Sequence, residues 1–363
     1  MFEFFELSRF LARKVALYRF ERDGLVLRFN SSDRDLTIAG HLYLAARGIS
    51  HSAVRDTSTS DKKAQLTVTA PYLLDALADE LPVTQPLGNW WRPYPPSQRV
   101  LVTVMTTHLG DPDEQVNIEW MGRVVGPSFG RTEMRLTCDP SYRSGRMSGS
   151  IPRMQRGCGV ALYSRGLGMC NLNPEPLPVA AVLDAVEGPA ISAAVFQAPP
   201  RPFTGGAGGA VAWTDVDNVL QARPIVAHNG VTLTLGGEPH ELSAGAAVTA
   251  YTVPLWFLAE VAAVNGLRLT SPAFAAAALS LAGGFIQWRR ADGVLEVRSI
   301  MSHSGNSIGI HYGALDLAPG LVVQAYVGCA HNLPACEAHG NQINYPGFRW
   351  LPTEDPMSRS QAW

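Results

Sequence analysis

The strongest β-hairpin pattern in the chain is IVAHNGVTLTL, at residues 225–235. Two runs rich in β-branched and apolar residues flank Asn229-Gly230, a dipeptide that favours a two-residue turn between antiparallel strands. Similar pairs of runs flank Asp23-Gly24 and Asp292-Gly293. Short strands joined by such turns predict a mainly β fold.

The N-terminal third adds strand patterns at 36–38, 41–44 and 100–104. Their short spacing predicts a closed or nearly closed antiparallel barrel. Helices are expected only at Glu3–Lys14, at Tyr72–Glu80 and, later in the chain, at Thr252–Ala263. No repeat of short period is visible, so the sequence does not predict a solenoid or a propeller.

The composition is that of a globular chain with little charge. Of its 363 residues, 46% are hydrophobic and 17% are charged. The apolar share is large enough to fill a core, which excludes global disorder. The charged share lies below the roughly 25% of an ordinary soluble domain and favours surfaces covered by partners. The net charge of −2 offers no basic excess for binding nucleic acid through its phosphates.

The sequence shows neither an export signal nor a membrane span. Glu3 and Glu6 stand where a secretory signal needs basic residues. The longest weakly polar stretch, 272–286, is too short to cross a bilayer. We therefore expect the chain to fold in a reducing cytoplasm, where cysteines are more often free thiols or metal ligands than disulfides.

Four of the five cysteines form two distant, glycine-rich pairs. These are Cys158 with Cys170 and Cys329 with Cys336, whereas Cys138 stands alone in a strand-like segment. Four thiolates are the ligand set of a structural [4Fe–4S] cluster or of a Cys₄ zinc site. The spacing is not that of a zinc ribbon or a ferredoxin, so buried thiols without a ligand are the alternative. His331 and His339 flank the second pair and leave a Cys₂His₂ zinc site open.

Three further patterns indicate other functions. A cysteine peptidase would pair Cys329 with His331 or Cys336 with His339, but the local sequence lacks a helix start that would activate the thiol.

A glycosidase would need two carboxylates. The acidic candidates are Asp33, Asp35, Asp111, Asp113 and Glu114, and their turn context favours a structural role. The run WWRPYPP at 90–96 predicts an exposed aromatic loop that anchors an interface.

Several motifs, in this order, resemble the phage tail-tip baseplate hub proteins, a family that includes the tail tip protein of phage lambda and the hub of gene transfer agents. Residues 15–44 resemble its N-terminal domain, 158–170 its first cysteine pair, and 285–329 its second half. The ending from Cys336 to Phe348 resembles the closing signature of the family. Tyr345-Pro346-Gly347 differs there, because the family has Phe-Gly-Gly.

The resemblance implies a cofactor and a domain plan. A [4Fe–4S] cluster is expected on Cys158, Cys170, Cys329 and Cys336, with structural zinc as the alternative. The fold would be mainly β, with two β-barrel-like hub domains joined by an iron–sulfur-stapled loop region and with an inserted β-rich subdomain. The expected segments are an N-terminal hub domain at 1–150, a first cysteine-pair loop at 151–174, the inserted subdomain at 175–250, a second hub domain at 251–328, and a second cysteine-pair loop and tail at 329–363.

The resemblance also implies a non-enzymatic component of the virion tail tip, assembled in the host cytoplasm. A homotrimeric ring would link the tail tube to the tip and line the DNA-ejection channel. The implied partners are the distal tail protein, a central tip or fibre protein, the tape measure protein, and DNA that passes without sequence-specific binding. A tail-associated cell-wall or polysaccharide hydrolase is the competing prediction.

Overall fold

The computed structural model describes residues 2–8, 13–54, 65–75, 77–141, 155–205, 208–348 and 350–351. The chain divides into two compact units. Unit 1 comprises Met1–Ser150 and Arg289–Glu296, and unit 2 comprises Ile151–Trp288 and Val297–Trp363. Strands dominate both units, which confirms the prediction of a mainly β fold. No helix in the described part of the chain is long and apolar enough to cross a bilayer.

Unit 1 is built on one nine-stranded sheet. Its strands are β1 (Lys14–Arg22), β2 (Leu25–Asn30), β3 (Leu36–Ile38), β4 (His41–Ala45), β5 (Ser50–His51), β6 (Leu66–Pro71), β7 (Leu101–His108), β8 (Asn117–Phe129) and β9 (Glu133–Pro140). The order in the sheet is β3-β4-β2-β1-β7-β8-β9-β6-β5. The pair β2–β4 is parallel, and the others are antiparallel. Two short helices, α1 (Phe2–Leu7) and α2 (Gln85–Gly88), accompany the sheet.

The hairpin of β1 and β2 follows the local sequence pattern closely. Asp23 and Gly24 have φ values of 45° and 83°, as a type I′ turn requires at both central positions. Tyr18 and Phe20 point to the same face of β1 and are buried in the main core of unit 1. Complete burial of an aromatic side chain such as Phe20 contributes about 2–3 kcal/mol.

Unit 2 contains two seven-stranded sheets. The first has β10 (Pro178–Val182), β11 (Ala185–Glu187), β12 (Ala190–Ser192), β13 (Ala210–Thr214), β14 (Leu220–Asn229), β15 (Thr232–Leu235) and β16 (Ala247–Tyr251). The second has β17 (Trp256–Glu260), β18 (Ala263–Asn265), β19 (Arg268–Thr270), β20 (Phe285–Arg289), β21 (Leu295–Ser304), β22 (Ser307–Ile310) and β23 (Val322–Tyr326). Two short helices follow β19 and β23, namely α3 (Pro272–Ala275) and α4 (Leu333–Ala338).

The two sheets of unit 2 have the same topology. Their orders are β10-β16-β13-β14-β15-β12-β11 and β17-β23-β20-β21-β22-β19-β18, so each strand of the second sheet takes the place of the strand numbered seven lower. A β-bulge interrupts β14 between Ile225 and Ala227, and another interrupts β21 between Ile300 and Ser302. Residues 178–251, which the sequence analysis assigns to an inserted subdomain, therefore repeat the fold of residues 256–327.

The repeat extends to individual contacts. Nε2 of His228 lies 2.9 Å from the Phe196 carbonyl oxygen and 2.8 Å from that of the glycine two positions later. Nε2 of His303 lies 3.1 Å from the Phe274 carbonyl oxygen and 3.1 Å from that of the glycine two positions later. Other residues 75 positions apart are also identical, among them the pairs Trp213 and Trp288, Arg223 and Arg298, and Ile225 and Ile300.

The structure corrects three helix predictions. The helix predicted at Glu3–Lys14 is shorter, since α1 ends at Leu7 and Lys14 is the first residue of β1. The described residues of Tyr72–Glu80 contain no helix, and α2 lies later in the chain. Thr252–Ala263 contains the strand β17 instead of a helix. Burial in β17 alternates residue by residue, which is the period of a strand packed on one face.

Candidate metal centre

The four paired cysteines line a single cavity in unit 2. Cys158 and Cys170 belong to the loop that precedes β10, Cys329 follows β23, and Cys336 lies in α4. The cavity is small, with a volume of about 20 Å³. Two thiol pairs that are remote in the sequence therefore meet at one place in the fold.

Hydrogen bonds join the two cysteine segments directly. The Cys158 N–H donates to the His331 carbonyl oxygen at 2.7 Å. The side-chain amide of Asn341 donates to the Cys170 carbonyl oxygen at 2.6 Å. Asn344 in turn donates to the side-chain oxygen of Asn341 at 2.7 Å. The closing signature thus has a structural role that the sequence analysis did not assign, since its two asparagines fasten the tail to the first cysteine loop.

Tyr163 adds an aromatic contact between the first cysteine loop and the second sheet. Its hydroxyl donates to the Val327 carbonyl oxygen at 2.7 Å. Its ring meets Phe285 and Tyr326 edge-on, with centroids 6.2 and 5.9 Å apart. The backbone of Tyr163 has a φ of 60°, a conformation that a bulky residue seldom adopts. The loop therefore holds a strained backbone in order to place this side chain.

Small and capping residues shape the second cysteine segment. A Cβ at Gly328 would collide with the Ala282 carbonyl oxygen, so only glycine allows the chain to pass there before Cys329. Asn332 caps α4 by accepting the Ala335 N–H at 2.9 Å. These two features fix the path of the chain just before Cys329 and at the start of the helix that carries Cys336.

Two thiols of the centre have a raised pKa. Burial, together with the charges of Cys329, Cys170 and Cys158, raises the pKa of Cys336 to about 11. Burial also raises the pKa of Cys329. The His331 N–H, 3.4 Å from its sulfur, lowers that pKa, and Cys158 and Cys170 raise it. Four thiolates that line one cavity repel one another unless a cation lies between them.

The four side chains are of the type that binds a metal centre through thiolates. The His331 N–H and the Asn341 amide lie 3.4 and 3.7 Å from the sulfurs of Cys329 and Cys170. Hydrogen bonds to sulfur are one of the ways in which proteins tune thiolate-bound metal centres. In the described ranges, no three His, Cys, Asp or Glu side chains are grouped so that they could hold a metal ion. The ligand set and its cofactor therefore stay predictions.

His339 also lines the cavity and is buried. Its Nε2 lies 2.9 Å from the Gly328 carbonyl oxygen. Its Nδ1 is buried and has no hydrogen-bond partner among the described residues. Burial lowers the pKa of His339 and favours the neutral ring, although the Gly328 carbonyl opposes this shift. A neutral ring that donates through Nε2 leaves a lone pair on Nδ1, which is the feature that the Cys₂His₂ alternative requires.

The acidic residues considered for a glycosidase lie between strands of unit 1 and support the local backbone. Asp35 accepts the Ala45 N–H at 2.7 Å. Asp111 accepts the N–H groups of Asp113 and Gln115 at 3.1 and 3.4 Å. The bond from Asp111 to the Asp113 N–H is that of an Asx turn, whereas Asp35 joins two segments ten residues apart.

The aromatic loop at 90–96 is less exposed than the sequence predicts. Trp90 is buried in the main core of unit 1, and Trp91 packs partly against that core. The Arg92 guanidinium lies 5.4 Å from the centre of the Phe129 ring. Tyr94, 39% exposed, is the outward aromatic side chain of the loop. The prediction of an exposed pair of tryptophans is therefore wrong for Trp90, because its ring completes the core.

Comparisons with known proteins show the family. Residues 280–355, which include Cys329 and Cys336, match the phage conserved hypothetical protein BR0599 family. An uncharacterised protein of Xylella fastidiosa (strain 9a5c) is 30% identical over all of this chain and 99% of that protein. The chain belongs to this family of phage proteins.

One solved structure is also similar to this phage family protein. It is a chain from the virion of a native gene transfer agent particle, with a TM-score of 0.46 and 16% identity over 96% of this chain and 91% of that chain. The segment of this chain that matches the BR0599 family contains Cys329 and Cys336. Cys158 and Cys170 lie outside that segment.

Proposed function

We propose that this phage family protein is the structural, non-enzymatic hub of a phage or phage-like tail tip. Three chains form a ring that links the tail tube to the tip and lines the DNA-ejection channel. Membership of a phage family and the order of the hub-like motifs support the proposal. The duplicated sheet supports it as well, because three chains carry six copies of one fold and so suit a sixfold tube.

The hub is stabilised by a [4Fe–4S] cluster on Cys158, Cys170, Cys329 and Cys336. The observation that carries this proposal is that two remote cysteine pairs line one cavity. When bound, the cluster cross-links four thiolates and removes their mutual repulsion. Zinc on the same thiolates would give a similar cross-link. The chain itself supplies the hydrogen bonds that hold both loops in place.

The partners of the ring are the distal tail protein, a central tip or fibre protein and the tape measure protein. DNA passes through the lumen without sequence-specific contacts. The net charge of −2 supports this part of the proposal, since a strongly basic wall would retain the phosphates.

The chemical test is a metal and mass analysis of the protein purified without oxygen. We expect about four irons and four sulfides per chain, as Cys₄ ligation of such a cluster requires. We also expect light scattering to give the mass of a trimer. A result of about one zinc per chain would show that the cofactor is zinc and not the cluster. A metal-free monomer would contradict both the cofactor and the ring.

The positional test is immunogold labelling of intact particles. We expect label at the distal end of the tail, whereas label on the head or along the tube would contradict a hub. Incubation of the same particles with cell-wall fragments separates the hydrolase alternative. Release of sugars that is lost in Asp35→Asn would favour an enzyme, because that change removes a charge and keeps an acceptor for the Ala45 N–H.

A further inference from the structure

Arg201 is a buried cation that pairs with no carboxylate of the described residues. Its side chain is 4% exposed, and its guanidinium donates to the carbonyl oxygens of Asn173 at 2.5 Å and Glu175 at 3.2 Å. Its Nε is buried without a hydrogen bond. No ion pair joins Arg201 to a carboxylate in the part of the chain that the structure describes. Removing a guanidinium from water without a counter-charge is strongly unfavourable.

The fold of the sheet does not explain this arginine. Arg201 lies in the connection between β12 and β13, and the matching connection in the second copy joins β19 to β20. Residues 271–284 of that second connection contain no charged residue. The seven-stranded fold therefore forms without a cation at this place, and the first copy must retain one for another reason.

Arg201 lies beside both cysteine segments. Its bonds to Asn173 and Glu175 hold the chain that leaves Cys170. The carbonyl of the preceding residue packs so closely on Gly340 that a Cβ there would collide with it. Gly340 directly follows His339, which lines the cavity.

The charge of Arg201 reaches groups on both sides of the centre. Burial raises the pKa of Tyr163, and Arg201 opposes that increase. Burial also lowers the pKa of His339, and Arg201 lowers it further. Tyr163 belongs to the first cysteine loop and His339 follows the second pair, so one buried positive charge acts on both segments.

We propose that Arg201 is the counter-charge of the anionic centre formed by Cys158, Cys170, Cys329 and Cys336. Four thiolates around Zn²⁺ or a [4Fe–4S] core leave net negative charge, and a fixed cation stabilises it in a medium of low dielectric. The inference rests on the proposed cysteine centre. It also gives the segment 175–250 a role there, since Arg201 lies in the connection between β12 and β13.

The test compares three variants of the full chain purified without oxygen. Arg201→Met removes the charge, and Arg201→Lys retains it with fewer donors. Arg165→Met is the matched control, because Arg165 lies exposed in the first cysteine loop and its loss changes the net charge equally. The readouts are metal content, the rate of metal loss to excess chelator, and the reduction potential when iron is bound.

We expect Arg201→Met to lose metal about tenfold to a hundredfold faster than the wild type, as for other outer-shell changes. Arg165→Met should stay within about twofold, because water screens an exposed charge. Arg201→Lys should remain close to the wild type. With a cluster bound, Arg201→Met should also shift the potential to more negative values, which a purely structural role would not predict.

The outcomes separate the two proposals. A wild-type protein without metal overturns both the centre and its counter-charge. A loaded wild type with equal release from Arg201→Met and Arg165→Met overturns the counter-charge alone. Release from Arg201→Lys as fast as from Arg201→Met also overturns it, since the hydrogen bonds would then be the decisive feature. If circular dichroism shows that Arg201→Met is unfolded, Arg201→Gln replaces it under the same criteria.

Discussion

Cys138 and Cys336 are both buried, yet their surroundings differ. Cys138 lies in β9, pairs across the sheet with Leu66, and donates from its sulfur to the Leu136 carbonyl oxygen at 3.4 Å. Burial raises its pKa to about 12. Cys336 shares a cavity with three other thiols, and their charges contribute to its raised pKa. At the residue scale, convergence of thiols separates a candidate ligand from a core residue, whereas burial alone does not.

Replacement of these two cysteines tests that distinction. We expect Cys336→Ser to lose most of the bound metal, because it removes a ligand. Cys138→Ser should keep the metal and lower the free energy of unfolding by about 1–3 kcal/mol, since it places a hydroxyl in an apolar core. Metal content and urea unfolding measure the two effects. Equal metal loss in both variants would contradict the assignment of the ligands.

His51 makes the stability of unit 1 dependent on pH. Its Nδ1 lies 2.8 Å from the Tyr18 hydroxyl. Burial lowers the pKa of His51, Glu119 raises it, and Lys14 lowers it. The folded state therefore favours the neutral ring. This contribution is complete above the unfolded value of about 6.5 and is lost as the pH falls through the lower folded pKa.

We expect urea unfolding at pH values from 7.5 down to 5 to show a loss of stability that is smaller in His51→Gln. Glutamine retains an acceptor for the Tyr18 hydroxyl but does not titrate. The same slope in both proteins would assign the acid sensitivity to other groups.

The two histidines that close β14 and β21 are the clearest common element of the duplicated sheet. Each imidazole bridges the carbonyl of a short helical turn and that of a hairpin glycine. His303 also accepts the Leu281 N–H through Nδ1 at 3.2 Å. The bridge connects elements that are distant in each copy, so it stabilises the sheet as a unit.

His228→Ala and His303→Ala should each lower the free energy of unfolding by about 1–3 kcal/mol, because two carbonyl oxygens lose a donor. The loss should be larger for His303→Ala, which also leaves the Leu281 N–H without its acceptor. Chemical denaturation measures both effects. The exposed His240 provides the control, and His240→Ala should have little effect. The opposite ranking of His228 and His303 would contradict this account.

At the scale of the whole molecule, the candidate centre lies in one of the two units. All four cysteines lie in unit 2, and the core of unit 1 contains only Cys138 among the thiols. A metal cross-link therefore stabilises unit 2 by binding its folded state. Unit 1 depends on its own core.

Removal of the metal should consequently affect only one thermal transition. We expect chelation to lower the Tm of unit 2 by about 5–15 °C and to leave that of unit 1 unchanged. Differential scanning calorimetry measures both transitions, and limited proteolysis at intermediate temperature identifies the unit that unfolds first. An equal decrease in both transitions would contradict a centre confined to unit 2.

Local sequence determined the features that depend on neighbouring residues. Asp23-Gly24 predicted its hairpin because a type I′ turn needs residues that accept a positive φ at both central positions. The hairpin predicted at Asn229-Gly230 forms as well, but Asn229 pairs with Thr232, so Gly230 and Val231 are its turn residues. Asp111 accepts the Asp113 N–H two residues later, as its turn context predicts. The four cysteines were recognised from their glycine-rich context and from the order of the hub-like motifs, although their convergence was an expectation.

Only the tertiary structure decided which distant residues share an environment. The cavity of the four thiols, the burial of Trp90 and the unpaired charge of Arg201 each depend on long-range packing, which no local pattern encodes. The duplicated sheet was recognised from its strand order, although identical residues such as Trp213 and Trp288 recur 75 positions apart in the sequence. A turn depends on a few adjacent residues and can be predicted from the sequence, whereas contacts between remote loops depend on the folding of the whole chain.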